Sequence, residues 1–118
     1  MSDSDKRQRG LARFEEVMCF TPPDLRGEAF VDSTIEHLFA EVWSDARLAV
    51  RDRRLVTLTI LTCLGNEMPL RLHFGAAMKS GDLSDDEIDA LIVHLAHYAG
   101  WPSAAIASQV VRQLRAER

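Results

Sequence analysis

Leu55-Val56-Thr57-Leu58-Thr59-Ile60-Leu61 is the stretch on which the fold class turns. By residue type alone, its valine, threonines and isoleucine suit a buried strand, because β-branched side chains fill a pleated surface well. By length, it belongs to a charge-free run from Leu55 to Asn66, longer than an ordinary strand. No second segment presents itself as a pairing partner. The helical reading is therefore preferred. The helix starts around Arg51, carries Leu55, Leu58, Leu61 and Leu64, and meets Gly65, a suitable C-terminal cap. A helix apolar on nearly every side belongs at the centre of a bundle or inside an oligomer.

Outward from this segment, punctuation is sparse and helices fill the space between the marks. A first helix covers about residues 6–18 and stops before Thr21-Pro22-Pro23, where proline lacks the donor that would continue it. A second covers about 27–43, with Ile35, Leu38, Phe39, Val42 and Trp43 spaced along one helical face. A fourth, about 68–79, places Pro69 in its first turn, where a missing amide is harmless, and ends at Gly81. Ser84 with Asp85, Asp86 and Glu87 then spells a capping box with acids at the positive end of a helix dipole. That fifth helix is expected to bury Ile88, Leu91, Ile92, Leu95 and Ala99 and to end at Gly100. A sixth begins near Pro102-Ser103 and runs through Ile106, Val110 and Leu114 to a basic end at Arg112 and Arg115.

Six helices joined by short loops make an all-α protein, an orthogonal bundle of about six helices. The 118 residues are enough for one core. The chain therefore reads as a single domain over 1–118, with an N-terminal helix and Pro-containing connection over 1–23 and a helical core over 24–118. Apolar residues at 47% and charged residues at 27% are those of a globular chain. A net charge of -4 argues against nucleic acid as a partner. The longest uncharged run is too short to span a bilayer, so no membrane partner is expected. Charged residues throughout the first sixteen positions do not resemble a secretory signal. Two cysteines, Cys19 and Cys63, form no disulfide framework, which points to a reducing, cytoplasmic setting.

Several motifs resemble one known family. Arg53-Arg-Leu-Val-Thr-Leu58 is followed by Glu67, Leu70-Arg-Leu-His73 and Ala76-Ala-Met-Lys-Ser-Gly81. The most specific piece is Ile92-Val-His94-Leu-Ala-His-Tyr98-Ala-Gly100-Trp-Pro102-Ser-Ala-Ala105. Upstream, Glu41-Val-Trp43 and Arg9-Gly10-Leu11 match as well. Together these resemble the carboxymuconolactone decarboxylase family over nearly the whole chain, most loosely between Cys19 and Glu36. The resemblance implies an all-α fold assembled as a homo-oligomer, a trimer or hexamer. It also implies a cofactor-free decarboxylase of aromatic catabolism that converts γ-carboxymuconolactone to 3-oxoadipate enol-lactone and carbon dioxide. The expected ligand is a small carboxylated lactone or a related oxo-acid. A second branch of the family, the thiol peroxidases, uses a Cys-x-x-Cys pair ahead of the histidine. Asn66 and Pro69 stand where those cysteines would be, and a dithiol mechanism needs two sulfurs within reach.

Within this resemblance His73 falls on the family's recurrent histidine. It is the first candidate for a catalytic acid or a donor that polarises a carbonyl; the alternative is a buried histidine bonded to a helix carbonyl. His94 is the second catalytic candidate. It shares a helix face with Tyr98 at i, i+4 spacing, although Tyr98 can equally be a packing residue. His97 departs from the family, where an apolar residue is usual. Arg53 and Arg54 offer guanidinium forks for a dianionic substrate, or else make ion pairs with Glu41, Glu67 or a neighbouring subunit. Glu67 either orients a partner or serves as a first-turn helix acid. Trp43 and Trp101 wall a pocket or an interface, with core packing open for either. No metal is expected, because His94 and His97 lack further ligands at a recognisable spacing. Two alternatives to the decarboxylase stay open: a diverged member acting on another small cyclic or oxo-acid substrate, and a non-catalytic oligomeric binding protein.

Overall fold

Ser2 opens the first helix, its hydroxyl accepting from the Asp5 amide at 3.2 Å. In this computed structural model, which describes residues 2–23 and 25–118, that helix is α1, Asp3–Met18. The side chain of Asp3 also lies outside the description. α1 ends at Cys19, whose amide still donates to the Glu15 carbonyl at 2.9 Å and whose left-handed backbone (φ 60°) then turns the chain out of the helix. The turn precedes Thr21-Pro22-Pro23, as expected.

α2 starts as an α-helix over Ala29–Ser33 and passes directly into a π-helical segment, Thr34–Val42. The wider turn is marked by the Trp43 amide donating to the Leu38 carbonyl five residues back, at 2.8 Å. It corrects the expected face. Ile35, Phe39, Ala40 and Trp43 are buried, whereas Leu38 and Val42 stand 39% exposed. More residues per turn rotate the stripe away from the three-and-four spacing that an α-helix would follow.

The remaining elements are α3 (Val50–Leu64), α4 (Glu67–Ser80), α5 (Asp85–Ala99) and α6 (Trp101–Ala116). The described residues are helical throughout their regular elements and contain no strand, so Leu55–Leu61 is helix. The Ser84–Glu87 capping box is present in both directions: the Ser84 hydroxyl accepts from the Glu87 amide at 3.1 Å, and the Ser84 amide donates to Glu87 at 3.0 Å. Within one chain α3 is covered on one side: Arg54, Leu58 and Thr62 are buried, while Val56, Ile60 and Leu64 are 52%, 53% and 64% exposed. On α5, Ile88, Leu95 and Ala96 are buried, and Leu91, Ile92 and Ala99 are half-buried.

The chain forms two compact units, residues 1–50 and 51–118. In the first, Val17, Met18, Phe39 and Trp43 form the core with Phe14 and Val50 against them. Phe14 meets Phe39 edge-on at 4.8 Å, and Phe39 stacks on Trp43 at 6.0 Å, both favourable ring geometries. α1 approaches α2 so closely that a Cβ on Gly10 would lie 1.8 Å from the Ile35 carbonyl oxygen. In the second unit Leu58 of α3, Leu70, Phe74 and Ala77 of α4, Ile88 of α5, and Ala107, Val110 and Val111 of α6 close around Leu83 of the α4–α5 loop.

Two glycine-to-alanine changes should therefore have opposite signs. Gly75→Ala adds a methyl at ordinary contact with Leu114, 3.8 Å away, and should stabilise by about 0.5–1 kcal/mol through the better helix propensity. Gly10→Ala drives a methyl into backbone and should destabilise by about 2–3 kcal/mol or more. Thermal melts of the two variants beside the parent test this; a Gly10→Ala melt at or above the parent's would rule out the close approach.

Candidate active site

Arg54, in the first turns of α3, is 1% exposed and is the largest fully buried side chain among the described residues. A guanidinium cannot lose its proton at accessible pH, so burial obliges it to find charge and acceptors. It does so across the unit: its Nε donates to Oδ2 of Asp82 at 2.7 Å. Asp82 follows Gly81, whose left-handed backbone (φ 77°) ends α4 and turns the chain toward α5. The same loop residue is held a second time, since Arg51 donates from Nε to the Asp82 carbonyl at 3.1 Å. Arg51 also pairs with Glu87, the acid of the capping box. Arg51 and Arg54 thus tie the start of α3 to the α4–α5 turn.

His73 lies in the middle of α4, half-buried, next to the fully buried Phe74. Burial, and after it the positive charge of Arg54, hold its imidazole below the ordinary value of 6.5. Both causes disfavour a second buried cation, so the ring is neutral at neutral pH. The structure brings Arg54 and His73 into one electrostatic neighbourhood. Asp82 is a partner of Arg54 that was not among the acids considered from the sequence. Nothing in the local pattern points to Asp82, because 28 residues separate it from Arg54 and no helical period links them.

The other candidates are placed as follows. Arg53 is half-buried on α3, and Glu67 is an exposed acid in the first turn of α4, well sited for the helix dipole. His94 and Tyr98 are exposed on α5 with rings 4.9 Å apart. Trp101, the first residue of α6 and 64% exposed, meets His97 edge-on at 5.2 Å. Nδ1 of His97 lies 2.8 Å from the Val93 carbonyl; a carbonyl can only accept, so this nitrogen carries the proton. Trp43 belongs to the core of the first unit. That unit also holds a cleft of about 320 Å³ lined by Arg7, Gln8, Leu11, Arg26, Asp32 and Glu36 among others, none of them an anticipated site residue. Among the described residues no three His, Cys, Asp or Glu side chains gather as metal ligands would. Neither Cys19 nor Cys63 is in a disulfide, and no described helix is long and apolar enough to cross a membrane.

Residues 28–113, from just before α2 into α6, match the carboxymuconolactone decarboxylase family. The chain belongs to this family. It is 30% identical over 129 aligned positions to the 4-carboxymuconolactone decarboxylase of Acinetobacter baylyi, a match that covers 97% of this chain and 90% of that protein. As a carboxymuconolactone decarboxylase family member, the chain carries its α3–α4 histidine–arginine neighbourhood inside the matched region, while α1 lies before it.

The lowered pKa of His73 has a consequence for stability. The folded state resists protonation that the unfolded chain accepts at about 6.5. The stability this contributes is complete above that pH and is lost as pH falls through the folded-state value. Denaturant midpoints should therefore decline below about pH 6.5, before the carboxylates titrate. In His73→Gln that upper step should vanish; a parent and variant with parallel profiles between pH 7 and 5 would refute the assignment.

Proposed function

We propose that this family member is a cofactor-independent carboxy-lyase acting on γ-carboxymuconolactone, or on a closely related small carboxylated lactone or oxo-acid, in aromatic catabolism. The observation that carries the reading is a half-buried, neutral histidine beside a buried, permanently charged arginine, in a chain that is 30% identical to a named decarboxylase.

The chemistry needs little beyond this. When the carbon–carboxylate bond breaks, carbon dioxide leaves and the electron pair flows into the conjugated ring carbonyl as a dienolate. The substrate is its own electron sink, which is why no cofactor is called for. The protein must stabilise negative charge appearing on the carbonyl oxygen, usually the dominant contribution. The N–H of a neutral, half-buried His73 supplies that hydrogen bond, and the field of Arg54 favours the same charge. A guanidinium clasping the leaving carboxylate would stabilise the ground state and slow the reaction. Arg53 is therefore assigned to the carboxylate that remains. Tyr98, Trp101 and Glu67 are assigned to the wall around the substrate. In the following step the dienolate is protonated on carbon, by His94 or a water it holds.

Purified protein should consume γ-carboxymuconolactone, followed by ultraviolet absorbance, and His73→Ala should lower kcat by about 10²–10³-fold. A neutral donor also makes kcat level between pH 7 and 8.5. A tenfold fall per unit over that range would instead make the imidazolium the acid. No turnover from folded protein would shift the reading to a diverged substrate or to a non-catalytic binding protein.

The exposed stripe Val56, Ile60 and Leu64 on α3, with Met68 70% exposed at the start of α4 and Val93 60% exposed on α5, supports assembly into a homo-oligomer, since soluble monomers rarely leave such surface open. Light scattering should give a trimer or hexamer mass, and Ile60→Asp should lower it. A monomer mass for the parent chain would overturn this.

A further inference from the structure

The α4–α5 turn contains a residue that the reading above does not use and that the geometry holds unusually well. Asp82 is engaged through its backbone and its side chain. Its amide donates to the Ser80 hydroxyl at 3.2 Å, and its carbonyl accepts from Arg51. The next residue, Leu83, is 2% exposed in the core of the second unit, with its amide 3.4 Å from the Ala77 carbonyl. A loop backbone so anchored leaves the carboxylate little room to drift, and that carboxylate receives Nε of Arg54 at 2.7 Å. Arg54 is otherwise an awkward group to place, being a long, flexible cation with 1% exposure. A buried guanidinium goes where its counter-charge is.

We propose that Asp82 is the positioning residue of the site: its carboxylate, fixed by the Arg51-bound turn, holds the Arg54 guanidinium beside His73. Asp82 acts through Arg54 and does not touch the reacting atoms. The proposal deepens the decarboxylase reading and rests on it for its catalytic consequence, but the placement of Arg54 can be measured without any substrate. The field of Arg54 bears on His73, so the His73 titration responds to where the guanidinium sits.

The experiment compares Asp82→Asn and Asp82→Ala with the parent, reading the His73 titration by imidazole proton NMR, the melting temperature, and kcat on γ-carboxymuconolactone. Asn keeps an acceptor for Nε, so His73 should titrate at or below its parental pH, with kcat within a few-fold of the parent's. Ala removes this acceptor and lets the guanidinium shift, so the His73 pKa should rise toward 6.5 and kcat should fall about tenfold or more. A merely structural role for the turn would lower the melting temperature of Asp82→Ala and leave the His73 titration unmoved; that result overturns the proposal. Should the alanine variant not fold, Asp82→Glu displaces the carboxylate by one methylene, and an unchanged His73 titration there overturns it equally. If the parent has no turnover, the decarboxylase reading fails, while the NMR titrations still decide the role of Asp82.

Discussion

A guanidinium with almost no solvent access is an expensive thing to bury, and in this chain the arrangement of the second unit follows from accommodating it. Arg54 cannot neutralise itself, so a carboxylate must come to it. The carboxylate comes from the turn between α4 and α5, which fixes where α4 ends and α5 begins relative to the start of α3. Arg51, one turn earlier, reinforces the same join through the Asp82 carbonyl and the Glu87 side chain. Pairs of this kind contribute little net stability, because desolvation offsets most of the attraction. Their value here lies in geometry: they specify one register between a helix and a turn.

The same burial gives His73 its chemical character. An imidazole half out of water and next to a fixed cation is a neutral hydrogen-bond donor and not a reservoir of protons. A decarboxylation whose electrons settle on a carbonyl oxygen is served by such a donor, because no proton needs to move while charge develops. The scaffold interaction and the candidate chemistry are thus coupled through one side chain, Arg54. This separates it from Arg53, its half-buried neighbour in sequence.

The first unit follows a different constraint. Gly10 lets the backbone of α1 touch that of α2 at Ile35, and at that place α2 is π-helical. A widened turn redirects side chains, carrying Phe39, Ala40 and Trp43 into the core while Leu38 and Val42 face outward. Its buried arginine, Arg7, repeats the theme of the second unit, pairing with Asp32 at 2.9 Å.

Much of this was legible in the residues alone. Local chemistry marks the helix ends: Ser84 with Glu87, Gly65, Gly81 and Pro69 act on their own neighbours, and all stand where they were expected. On α6 the expected Val110 is buried, and Ile106 and Leu114 are half-buried against the same core. Motifs carried the family, and singled out His73 as a candidate. Three things were decided only by the tertiary structure. The π-helical turn of α2 depends on what packs against it, so its face could not be counted from spacing. The outward stripe of α3 depends on which side the other helices cover, and a segment apolar on most sides does not declare one. The Arg54–Asp82 pair joins residues far apart in the chain, and no periodicity links an arginine at a helix start to an acid in a distant turn. Only the fold brings that counter-charge to the buried guanidinium.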